Sequence, residues 1–126
     1  MDSTKTRQFC NKYPELYFHN LHNAMIDYNK SFLHNLSHYF PFGIPNDASV
    51  SGILCRKFVE AYYNENTNFL SVDSVYGLAY SCIVCNKYTD MTFIDFIRFY
   101  DEVCKDVIRE EYLKTIYDEI RNTSYF

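Results

Sequence analysis

Tryptophan is absent from this 126-residue chain, and glycine and proline occur only three times each. Collagen-like, linker-like and disordered chains need far more of the latter two, so all three classes are excluded. With glycine only at Gly43, Gly52 and Gly77, no GxGxxG, P-loop or other phosphate cradle can be written, and the GxSxG elbow is missing too. Cations are in deficit: Lys plus Arg is 12 against 16 Asp plus Glu, a formal net charge of -4. A broad phosphate-binding surface needs the opposite balance, because it works by releasing counterions. Nucleic acid is therefore not an expected partner, although Arg56, Lys57, Tyr62 and Tyr63 interleave cations with rings. The longest apolar run, Val75 to Cys85, falls short of the ~20 residues a membrane span requires. The polar start, Met1 to Arg7, leads into no signal segment, which predicts a cytoplasmic chain without a membrane span.

What the chain does have is 13 Tyr and 11 Phe within a composition that is 48% hydrophobic. Each ring can bury ~150–250 Å², so a small core is within reach. The length fits one helical domain over 1–126, with 1–12 as a flexible N-terminus. Pro14 and Glu15 open a first helix, along which Tyr17, Leu21, Ala24, Met25, Tyr28, Phe32, Leu36 and Tyr39 recur at helical steps. Phe40 to Asp47, with two prolines and a glycine, breaks it. Ser49 or Ser51 caps a shorter helix to about Asn64, with Ile53, Leu54, Phe58, Val59 and Tyr62 inward. Residues 64–68 form a polar hinge, after which Ser71 or Asp73 caps a helix over 72–86 that is apolar around nearly its whole circumference. Such a helix must be surrounded, so it is expected at the centre. Thr89 or Asp90 caps the next, a long helix with Phe93, Ile97, Tyr100, Cys104, Val107 and Ile108 in one stripe. A break near Arg109–Glu111 leads to a last stripe of Leu113, Ile116, Tyr117 and Ile120. No alternating pair of strands is joined by a hairpin turn, so the fold class is all-α, a compact helical bundle around one buried helix.

The chemistry-bearing residues form no reaction centre at this level. Five cysteines at irregular spacing fit reduced, packed thiols rather than a disulfide framework. Cys82 and Cys85 form the one CxxC, but late in an apolar helix, where no helix N-terminus lowers a thiol pKa and no second pair completes a zinc site. His19 with His22, and His34 with His38, share helix faces without a third ligand. The glycosylation sequons at Asn29, Asn35 and Asn122 lack a secretory route. Neither catalytic residue, nor metal, nor cofactor is assigned, and the chain is expected to be a protein-interaction module rather than an enzyme. A seam between outer helices would accept an amphipathic partner helix. The groove residues expected there are Phe58, Val59, Tyr62, Tyr76 and Leu78.

The segment Phe69-Leu70-Ser71-Val72-Asp73-Ser74-Val75-Tyr76-Gly77-Leu78-Ala79-Tyr80-Ser81-Cys82 resembles the start of the central hairpin of Bcl-2-like proteins, with Tyr76-Gly77 as the aromatic-glycine pair. The helix order and the length are similar to the short poxvirus members of that family. The resemblance implies a Bcl-2-like fold and a viral protein that binds a death-signalling or adaptor protein in the host cytoplasm, inhibiting apoptosis or NF-κB signalling. Leu78 stands where peptide-binding members carry an arginine, which removes a charge-assisted hydrogen bond to a partner helix. The alternative is a small helical homodimer, pairing through Phe96, Phe99 and Tyr112, from a virus or phage that inhibits a host enzyme.

Overall fold

Side-chain oxygens placed over helix starts divide this chain. The computed structural model describes Lys12, Leu16, Phe18, residues 25–63 and residues 71–126. Within them lie five α-helices: α1 (Phe32–Ser37), α2 (Ala48–Tyr62), α3 (Val72–Lys87), α4 (Phe93–Val103) and α5 (Glu110–Asn122), with no strand among the described residues. Ser31, Asp47, Ser71 and Thr92 cap α1 to α4 by accepting backbone N–H bonds, which satisfies donors the first turn leaves open. At α4 the cap is reciprocal: Asp95 accepts from the Thr92 N–H while Thr92 Oγ1 accepts from the Asp95 N–H.

The all-α class and the central helix stand as expected from the sequence. α3 packs against each of the other four helices, and Val75, Leu78, Ala79, Cys82 and Cys85 are fully enclosed. Gly77 makes one of these approaches possible, because Cys104, Val103 and Tyr100 lie directly over the place its side chain would fill. An aromatic cluster joins α1 to α2: Phe32 meets Phe58 edge-on at 5.3 Å, and Phe58 stacks on Tyr62 at 5.1 Å. At the far end Arg121 donates to the carbonyls of Cys85, Tyr88 and Met91, closing the turn between α3 and α4.

Several expectations are corrected. The first helical stripe does not run unbroken to Tyr39: residues 25–31 are non-helical, and the helix there begins only at Phe32. Buried Asn35 is the reason. Its side chain accepts from the Asp27 N–H and donates to the carbonyls of Asp27 and Ser31, holding the preceding segment in a turn. α2 is capped by Asp47 rather than Ser49 or Ser51, and Ile53 is 44% exposed rather than inward. Thr92, not Thr89 or Asp90, caps α4.

The long stripe expected through Ile108 stops at Val103, with Cys104 already extended. Here tertiary bonds defeat the helical pattern: Tyr100 Oη donates to the Asp106 carbonyl at 3.0 Å, and the Asp106 carboxylate accepts from Ser71 and Ser74 at the start of α3. Val107 is consequently 95% exposed instead of inward. The expected helix opening at Pro14, its positions Tyr17, Leu21 and Ala24, the His19–His22 pair, Cys10 and the 64–68 hinge lie outside the described residues.

Candidate functional site

One flank of α3 is open. Tyr76, Tyr80 and Val84 follow at four-residue steps, which places them along a single face, with Val72 in the first turn of α3 and Tyr88 just past its end. Val72 is 49% exposed, Tyr88 is exposed, and the three between are half-buried. The full enclosure expected for this helix therefore fails along this stripe, because α2 and α4 flank it without meeting over it.

Rings order the surface. Tyr76 and Tyr80 lie nearly parallel at 6.3 Å, and Tyr80 lies nearly parallel to Phe99 of α4 at 6.1 Å. Arg56 of α2 holds its guanidinium 6.0 Å from the Tyr76 ring, a cation over a π-face. A Cβ on Gly52 would touch the Tyr76 hydroxyl at 3.4 Å, so α2 and the ring are in contact. Burial pushes the Tyr76 phenol above its ordinary pKa, with Arg56 opposing, so the ring stays neutral at physiological pH. Beyond Tyr80 the stripe opens into a shallow pocket of about 100 Å³ between α2 and α3, with Ile44, Pro45, Val84 and Tyr88 on its walls and Lys87 at its edge. The surface is thus aromatic and apolar with two cations, Arg56 and Lys87, on a chain that is net acidic.

Among the described residues this arrangement offers an aromatic and apolar surface. Burial pushes the Cys55 thiol up to about 12 and raises Cys82 and Cys85 as well, which disfavours their thiolate forms. Among the described residues no three His, Cys, Asp or Glu side chains converge on a cation. His34 and His38 are in ring contact at 4.8 Å, with Tyr125 beside His34.

Of the groove residues expected from sequence, Tyr76 alone lies on this face. Phe58, Val59, Tyr62 and Leu78 are buried core: Phe58 and Tyr62 are consumed by the aromatic cluster with Phe32, and Leu78 points away from the open stripe. Of the expected dimer face, Phe96 is fully buried, Tyr112 is half-buried, and Phe99 joins the Tyr80 stack. Tyr80, Val84, Phe99 and Arg56 also border this face and were not among the groove residues expected from sequence. The four-residue spacing from Tyr76 to Val84 was the available signal, hidden because a helix apolar on every side does not announce which side stays open.

Residues 4–125 match the family model of the Sec7 domain. No curated protein matches the chain, and no solved structure matches it. The match overturns the Bcl-2-like resemblance, and with it both the viral inhibitor of apoptosis or NF-κB signalling and the viral or phage inhibitor of a host enzyme. The resemblance rested on one short segment and on helix order, which many helical bundles share. The family match supports a protein partner, as expected, and lends no support to a death-signalling helix. No described helix is long and apolar enough to cross a membrane. Since the match takes in nearly every residue, the chain belongs to the Sec7 domain family.

Proposed function

We propose that this chain is a guanine-nucleotide exchange factor for a small GTPase of the Arf type, and that the open face of α3 receives the GTPase. The observation that carries the activity is the Sec7 domain match across residues 4–125. The face fits the task physically. Exchange requires no covalent step: a factor that binds the nucleotide-free GTPase more tightly than the loaded one lowers nucleotide affinity by the same ratio, by linkage. Such a factor needs a preorganised surface that holds the nucleotide-free GTPase. The Tyr76–Tyr80–Phe99 stack supplies it, since stacked rings bury much area with little side-chain freedom to lose. Arg56 and Lys87 at the margins fit a partner surface that is apolar with acidic groups around it.

The test is release of a fluorescent GDP analogue from an Arf-type GTPase in excess GTP and magnesium. The expected result is a release rate that rises with the concentration of this chain. Tyr80→Ala slows it at least about tenfold, as loss of an interface aromatic does, while leaving the thermal midpoint nearly unchanged. Phe58→Ala, a fully buried position, instead unfolds much of the protein by about 3–5 kcal/mol. Release at the intrinsic rate, whatever the concentration of the folded chain, rejects the exchange activity. Full activity in Tyr80→Ala rejects the assignment of the face.

A further inference from the structure

A second apolar surface lies at the turn from α4 into α5, and its charge is the opposite of the first. Ile97, Tyr100, Val107, Ile108 and Leu113 line a groove of about 280 Å³, many times the ~30 Å³ share of one water. Asp101, Asp106 and Glu110 edge it, with Lys105 as the one cation among the lining residues. Val107 is 95% exposed, and Ile94, one turn before Ile97 on α4, is 60% exposed. The exposure is held in place. Ser71 and Ser74 bind the Asp106 carboxylate and Tyr100 Oη binds its carbonyl, so the loop carrying Val107 is tied to α3 on one side and α4 on the other.

From this juxtaposition we infer that the α4–α5 groove is a second protein-docking site, whose occupant is a partner segment bearing apolar side chains flanked by Lys or Arg. The apolar floor supplies affinity through buried area. The carboxylates supply orientation and selectivity, because a basic flank meets them while an acidic one is repelled. The same chemistry sends the segment here and not to the α3 face, where Arg56 and Lys87 repel it. Anionic lipid is disfavoured by the acidic edge, and a second copy of this chain arrives with its own net charge of -4.

The experiment uses the full chain and a fluorescein-labelled amphipathic peptide of Leu and Lys, with its Leu and Glu counterpart as control, followed by anisotropy. The Lys peptide is expected to bind saturably and more weakly as salt rises, and the Glu peptide not to bind. Val107→Ser and Asp101→Asn are each expected to weaken binding about fivefold to tenfold, with circular dichroism and the exchange rate on the GTPase unchanged. Since these variants leave the α3 face intact, failure here is distinguishable from failure of the exchange activity. The site is overturned by absence of saturable binding, by equal binding of both peptides, by indifference to Val107→Ser, or by loss in Tyr80→Ala instead. Val107-dependent binding to phosphatidylserine vesicles, or a doubled mass in light scattering that Val107→Ser abolishes, overturns the choice of occupant.

Discussion

Gly77 of α3 lies back to back with Cys104, the first residue after α4: a Cβ added to Gly77 would sit 2.8 Å from the Cys104 Cβ. Real Cβ atoms essentially never approach so closely, so one backbone would have to move. In a solvated helix the same change, Gly to Ala, would stabilise by about 1 kcal/mol. Here overpacking wins, and Gly77→Ala is expected to destabilise by about 1–3 kcal/mol in urea denaturation. A variant as stable as the parent, or more stable, would show that the two helices do not meet there.

The Asp106 tether is expected to depend on pH. The Ser71 and Ser74 hydroxyls hold its carboxyl below the usual carboxylate range. A lowered folded-state pKa contributes stability above the unfolded value of about 3.9, and that contribution fades as pH falls through the lower folded value. Asp106→Asn should therefore speed amide hydrogen exchange across residues 104–108 at neutral pH. The difference from the parent should close in strong acid. Identical protection at neutral pH would mean that the carboxylate does not hold this loop.

Thiol reactivity checks the core. Cys55, Cys82, Cys85 and Cys104 are buried and free, and burial raises the pKa of the first three. Iodoacetamide at pH 8 should leave Cys55 and Cys82 unmodified in the native protein, as read by peptide mass mapping, and modify both in denaturant. Native labelling at the rate of a free thiol, or a Cys82–Cys85 disulfide after mild oxidation, would place α3 outside the core.

Where local signals and packing agree, the sequence was readable. Of the two caps expected for α3, Ser71 and Asp73, Ser71 is the one used, and Leu113, Ile116 and Ile120 form the buried stripe of α5. Misreadings cluster where a long-range bond overrides the local pattern. Asn35 reaches back to Asp27 and ends an apparently continuous helix. Asp106 reaches Ser71, far upstream in sequence, and unwinds the last turns expected of α4. Neither bond has a signature in periodicity, since periodicity records only which residues are apolar. The open face is a similar case: Phe58 of α2 and Tyr76 of α3 are both aromatic residues on helices that pack together, and nothing in their neighbours along the chain tells which one faces water.

The sequence by itself determined the helical class and the helix that lies at the centre, because these follow from composition, spacing and caps acting within a few residues. Tertiary structure alone decided which flank of α3 remains open, where α4 ends, and that two apolar surfaces of opposite charge coexist on one small chain. Those outcomes depend on which helices approach closely enough to exclude water. That is a property of pairs of elements distant in sequence, and no single segment carries it.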